Sequence, residues 1–265
     1  MKTTRILVLC AALGAWSLPP PAAAQNFAAV VSPPRFELDM KPGTQRREVI
    51  EITHTDPAPG TYRIRTADFT LTEDARVDIS DALAPGSCRP WVAIERRELA
   101  IAAGGRYRYR FEIRAPESAP AGECRFALLI EGGDQSVKSG GLEIPVSARI
   151  AVIVYARIGD AEPALEVVQG RVGTADARPV PALVVKNNGI AHGRLAGFLS
   201  GEDATGRRFD FVPSTLPILP GESREIVLVP TAPVDRIPEL RFPVSLKGRL
   251  EWGEGKFLAV DRRID

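Results

Sequence analysis

The chain is poor in the side chains that most chemistry needs. Its 265 residues include two histidines, His54 and His192, three cysteines and two methionines. Neither histidine stands at i, i+2 or i+4 from another metal ligand, so the spacing of a zinc or transition-metal site is missing. A lone histidine beside turn residues reads as solvated. There is no G-x-S-x-G elbow, no phosphate loop and no G-x-G-x-x-G, and no nucleophile has a base at usable spacing. Asp74 with Asp78, and Asp203 with Asp210, are the carboxylate pairs a glycosidase could use, but they fall in loops and strand margins, where acids are usually solvated. These absences point away from an enzyme, and no cofactor or metal is expected.

An excess of one charge is also lacking. The chain carries 34 Lys+Arg and 33 Asp+Glu, a formal net charge of +1, so no global field draws it to nucleic acid or to an anionic membrane. The one arginine-rich stretch is RYRYRFEIR, residues 106–114. It alternates arginine with aromatic residues, as single-strand binders do. On a strand, however, the two sets point to opposite faces, which reads as an aromatic core side and a solvated basic side. No nucleic-acid partner is expected.

Long apolar runs are confined to the beginning. Lys2 and Arg5 form a basic region, Ile6 to Leu18 an apolar one, and Ala22-Ala23-Ala24 a small-residue cleavage site before Gln25. That is the pattern of a Sec-type signal peptide over residues 1–24, which implies export to the periplasm. Cys10 is preceded by Leu9, where a lipoprotein site needs a small residue. No later segment approaches about 18 apolar residues, so no stable membrane insertion is expected. Two cysteines remain, Cys88 and Cys124. An even pair in an oxidising compartment reads as a disulfide, closing a loop of about 36 residues and worth roughly 3–4 kcal/mol in the chain-entropy account.

What the chain does have is proline and glycine, 23 of each, set between short extended segments. EVIEIT (48–53), TYRIRT (61–66), RYRYRFEIR (106–114), 123–131 and 142–155 read as strands in the first half. Lys41-Pro42-Gly43, Pro59-Gly60, Gly104-Gly105 and Gly132-Gly133 are among the turns between them. A break at Gly159 to Pro163 leads into a second set: ALVVK (182–186) before Asn187-Asn188-Gly189, then 194–199, RRFDFV, SREIVLV (223–229), 242–250 and 255–260. Many short strands without an amphipathic helix predict an all-β fold of two immunoglobulin-like sandwiches in tandem, residues 25–158 and 159–265. A short internal echo, LAIAAGGRYRYRF against LPILPGESREIVL, agrees with two related halves.

The segment ARIAVIVYARIG, residues 148–159, stands out within this pattern. Ile150 to Tyr155 is apolar at every position, so both faces of the strand need cover. Three stretches together resemble the periplasmic chaperones of fimbria and pilus assembly: VSPPRFELDMKPG (31–43), the 148–159 segment, and the pair NNGIAHGR (187–194) with ILPGESR (218–224). The resemblance implies a chaperone whose last first-domain strand is lent to an incomplete pilin-like or fimbrial subunit, with an outer-membrane usher as a further partner. It implies a client-binding set of Arg35, Arg149, Ile150, Val152 and Val154, the Ile150 parity being favoured for donation because Tyr155, on the other parity, would anchor the hinge. The family holds the client's terminal carboxylate with an arginine and a lysine. Arg35 matches the arginine, whereas Ala151 or Val152 stands at the lysine's place and Arg149 is the nearest cation. The alternative reading is an exported Ig-like structural or adhesive module without chaperone activity, with the 148–155 strand covered on both faces by its own protein.

Overall fold

The computed structural model describes residues 28–74, 76–132, 135–139, 142–146, 148–231 and 237–265. The expected signal segment, residues 1–24, lies outside them. The described residues form two immunoglobulin-like β-sandwiches in tandem. The first carries β1 (Ala29–Ser32), β2 (Arg35–Met40), β3 (Gln45–His54), β4 (Gly60–Leu71), β5 (Val77–Ser80), β6 (Val92–Ile94), β7 (Glu98–Ile101), β8 (Arg106–Arg114), β9 (Gly122–Gly132), β10 (Gln135–Ser139), β11 (Leu142–Val146) and β12 (Arg149–Ile158). The second carries β13 (Leu165–Ala175), β14 (Arg178–Asn187), β15 (Ala196–Glu202), β16 (Arg208–Pro213), β17 (Ser223–Pro230), β18 (Val244–Gly253) and β19 (Lys256–Ile264). No described helix is long and apolar enough to cross a membrane.

In the first sandwich one layer runs β1-β3-β8-β6 and the other β2-β12-β9-β4-β5, with β7 also on β4 and β10-β11 as a separate hairpin. The strict alternation of β8 does what the sequence predicts. Tyr109, Phe111 and Ile113 are buried, while Arg106, Arg108, Arg110 and Arg114 are exposed. Phe111 meets Phe36 and Phe126 edge-on, at ring-centroid distances of 5.2 and 6.3 Å. Such pairs add about 0.5–1.5 kcal/mol each beyond area burial. The stretch VSPPRFELDMKPG divides at Pro33-Pro34, where no N–H is available for a ladder. β1 pairs with β3 in one layer, and β2 pairs in parallel with β12 in the other. The expected strand 142–155 likewise divides into β11 and β12.

The Cys88–Cys124 disulfide is formed. It ties the loop before β6 to β9, with both residues buried in the core. His54 corrects the expectation of a solvated loop histidine. It is 4% exposed, with Nε2 2.6 Å from the Ala58 carbonyl and Nδ1 2.5 Å from the Tyr62 hydroxyl. A carbonyl only accepts, so Nε2–H donates to it, while the Tyr62 hydroxyl also reaches the Ala28 carbonyl at 3.4 Å. Gly60 makes room for this ring, since a Cβ there would sit 2.5 Å from the His54 Cε1.

In the second sandwich the strand order is β13-β14-β17-β16-β15-β18-β19. The first half of β17 pairs with β14 and its end with β16, so one strand joins the two layers over a core that includes Leu183, Leu199, Phe211, Ile226 and Leu246. β13, LEVVQGRVGTA, escaped the sequence reading because it does not alternate cleanly. A register shift falls between Val167 and Gln169, and most of its residues are at least partly exposed.

Candidate functional site

β12 is where the two sandwiches and one open strand edge come together. It pairs with β9 along its whole length, Arg149 opposite Glu131 through Ile158 opposite Gly122. Its other edge pairs with β2 only from Ile153, which faces Arg35. Among the described residues, no strand covers that edge over 149–152. The Ile153 N–H donates to the Pro34 carbonyl, N···O 3.2 Å. Backbone groups alternate sides along a strand, so the N–H and C=O of Ala151 point to the same side as those of Ile153, into the open edge.

The two parities of β12 have different surroundings. Ile150, Val152 and Val154 face the core of the first sandwich; Val152 and Val154 are fully buried, and Ile150 packs against the same cluster while half-buried. For Val152 and Val154 this corrects the expectation that the parity faces a client, because these two side chains already fill the protein's own core, whereas Ile150 is only partly covered. Ala151, Ile153 and Tyr155 lie on the opposite, outer face, in a cluster with Ala67, Phe69, Ala127 and Leu129. Leu219 of the second sandwich completes that cluster. The sequence reading had Tyr155 as an anchor at the hinge, and it is 2% exposed there.

A polar junction adjoins this apolar face. β2 alternates exposed Arg35, Glu37 and Asp39 with buried Phe36, Leu38 and Met40, and its register sets Arg35 beside Ile153, Glu37 beside Tyr155 and Asp39 beside Arg157. Opposite them stands the loop after β14. Asn187, fully buried, organises it: Nδ2 donates to the carbonyls of Ala191 and Ile218, and Oδ1 accepts from the N–H groups of Ala164 and Gly189. Gly189 fits because its backbone approaches residues 162–164 too closely for a Cβ, which would lie 2.4 Å from the Glu162 carbonyl oxygen.

Thus braced, the loop delivers His192 and Arg194 to the first sandwich. His192 is 7% exposed, a second correction to the expectation of a solvated histidine. Its ring lies on Tyr155 with centroids 4.1 Å apart, its Nδ1 is 2.5 Å from Glu123 Oε2 and its Nε2 is 3.6 Å from Glu37 Oε1. The same Glu123 oxygen accepts the His192 backbone N–H, and the Glu123 N–H donates to the Ile190 carbonyl. Glu37 also lies 2.9 Å from Arg35 Nε and 3.4 Å from Arg194 Nε. The His192 hydrogen bond, with the charges of His192, Arg35 and Arg194, outweighs burial and holds the Glu37 carboxyl down at about 2. Burial pulls His192 down, but hydrogen bonds to Glu123 and Glu37 outweigh it, so the imidazole is raised above its ordinary value. Elsewhere in the junction, Arg224, 3% exposed, donates to the Thr72 and Glu73 carbonyls of the first sandwich. An open cleft of about 410 Å³ remains between the sandwiches, lined among others by Glu37, Arg157, Arg194, Trp252 and Lys256.

Of the residues expected at the site, Arg35 lies at this junction, half-exposed and paired with Glu37. Arg149 is exposed at the far end of β12. It stands four positions from Ile153, the neighbour of Arg35, which is about 13 Å along a strand, so the two arginines do not converge on one group. Arg194 is the cation that shares Glu37 with Arg35. Sequence reasoning did not assign Glu37, Glu123, His192 or Arg194. His192 was weighed only as a lone histidine, and Arg194 was visible only as a member of the NNGIAHGR stretch. The junction thus brings together an open strand edge, an apolar sheet face buried under Leu219 and ionised side chains.

No family model matches the chain and no curated protein matches it. Among solved structures it is similar to the class 5 fimbriae chaperone CfaA, at 13% identity over 88% of this chain and 98% of that one, TM-score 0.48. It is similar to the E. coli chaperone DraB at 14% identity over 89% and 99%, TM-score 0.44. A chain of the Salmonella enterica SafA pilin–SafB chaperone complex is similar at 14% identity over 87% and 92%, TM-score 0.46.

Proposed function

We propose that the protein is a periplasmic chaperone that binds pilin-like subunits during fimbria or pilus assembly and caps them with the open edge of β12. The observation that carries this reading is the half-paired strand. β12 has a full partner in β9, an apolar side chain at every position from Ile150 to Val154, and an edge over 149–152 that no described strand covers. An uncovered apolar edge invites pairing with another chain, and strand addition uses main-chain hydrogen bonds for affinity and alternate side chains for specificity. A subunit lacking a strand has the complementary need. The side chains offered are those of the outer parity, Ala151 and Ile153, together with the half-buried Ile150 at the end of the sandwich. Arg35 and Arg194 flank the edge's inner end with Glu37 shared between them, so an anionic group of the client would compete with that carboxylate for the two guanidinium groups. An outer-membrane usher would then receive the capped subunit.

The test is co-purification of the chain with a pilin-like subunit, wild type against Ala151→Pro. Proline removes the one N–H of residue 151, which points into the open edge, and leaves the β9 ladder intact. The reading expects at least a tenfold loss of capture with the fold retained. Undiminished capture by Ala151→Pro sinks strand lending. A chain that captures no subunit and is found in a surface polymer supports the structural-module reading instead.

A further inference from the structure

His192 belongs to the second sandwich, yet its side chain is held by the first. We propose that His192, gripped between Glu123 and Glu37, is a pH-sensitive clasp: as the imidazolium it locks the two sandwiches together over the apolar outer face of β12, and its deprotonation releases them.

The geometry supplies the reason. The side chain of Glu123 is fully buried, and its Oε1 has no hydrogen-bond partner. A buried carboxylate without a counter-charge is costly. The nearest cation of its own sandwich, Arg125, is 3.9 Å away, whereas His192 is 2.5 Å away. Charged, the ring donates toward both carboxylates. Neutral, it keeps one N–H; donated to Glu123, that leaves a lone pair facing Glu37. Every other ionisable group against the ring bears on this balance. Arg194, from the same loop, and Arg35, from β2, continue to neutralise Glu37. Tyr155, beneath the ring, is pushed up by burial and stays neutral through the same range. Arg157 lines the cleft but is paired with Asp39 at 2.7 Å. Glu123 therefore bears the loss.

The sign follows from the direction of the shift. The imidazole is raised above 6.5 in the folded chain, so its contribution is complete below 6.5 and fades as pH rises through the raised value. What the clasp covers is the cluster of Phe69, Leu129 and Tyr155 under Leu219. Its use in admitting a client rests on the strand-lending reading; the clasp itself does not.

Two measurements on the purified chain, without a client, test it. With two histidines in the sequence, the His192 ring can be titrated by NMR in the wild type. A midpoint above 6.5 is expected, and one at or below 6.5 overturns the proposal. Small-angle scattering should show the radius of gyration growing across the same midpoint, and His192→Gln should remove that step. A step that persists in a folded His192→Gln, or a wild-type radius that does not change with pH, overturns it as well. Because no subunit is present, these results fail or succeed apart from strand lending.

Discussion

Val152 and Ala151 are neighbours on one strand, and the structure gives them opposite fates. Val152 is fully buried in the first core. Val152→Ala removes two methyl groups, about 1.6 kcal/mol at roughly 0.8 per buried carbon, and the cavity left behind brings the loss to about 2–3 kcal/mol. Val152→Asp adds an unpaired buried charge and should cost about 4 kcal/mol or more, enough to abolish folding of a marginal domain. Ala151 lies on the outer parity with its N–H in the open edge, a strand position that tolerates proline, so Ala151→Pro breaks no ladder bond with β9 and should cost less than Val152→Ala. Urea unfolding followed by the fluorescence of Trp91, which packs against the first core, with Trp252 of the second sandwich replaced by Phe, reads the first sandwich. The ratio of the two effects is the decisive quantity. An Ala151→Pro midpoint as low as that of Val152→Ala, or a Val152→Ala midpoint equal to wild type, would show that the assignment of the two faces is inverted.

Three further outcomes are expected. Replacing both Cys88 and Cys124 by serine opens a loop with a sequence separation of 36 and should lower stability by roughly 3–4 kcal/mol, read as a lowered thermal midpoint; an unchanged midpoint contradicts the account. Leu219→Ala removes the second sandwich's side chain from the Phe69–Tyr155 cluster, so amide exchange at Phe69 and Leu129 should speed up severalfold while the core amides of both sandwiches hold. If those two sites keep their protection, the contact is not what shields them. Glu37, held at about 2 against an ordinary 4.5, contributes stability that is complete above 4.5 and lost as pH falls through about 2. Glu37→Gln should therefore flatten the stability profile in that window, and a mutant profile as steep as wild type contradicts the pairing.

Much of the fold is legible because strands write a period of two into the sequence. RYRYRFEIR names its buried and exposed faces without ambiguity, and β8 has those bounds. The hinge-side strand is legible too, but only as an anomaly: six apolar residues in a row say that both faces are covered and cannot say by what. That depends on register and on the second sandwich, since Leu219 reaches the outer face from 64 positions beyond Tyr155. The same holds for the polar junction. Glu37, Glu123, His192 and Arg194 come from separate elements, and no spacing along the chain joins them. Both histidines looked like solvated loop residues because their neighbours are turn formers. Each is buried by partners brought from elsewhere, Tyr62 across the β3–β4 turn in one case and Glu123 across the domain junction in the other. β13 was invisible because its bulge breaks the alternation on which the reading depends.

The central claim is that the open edge of β12 receives a strand from another chain. Residue-resolved amide exchange of the purified chain, with and without a saturating pilin-like subunit, tests it at the atoms concerned. The account predicts that the Ala151 and Arg149 amides, which point into the open edge, gain at least tenfold protection on binding, while those of Ile150 and Val152, already in the β9 ladder, change little. Binding that leaves Ala151 and Arg149 exchanging at their free rate would contradict it.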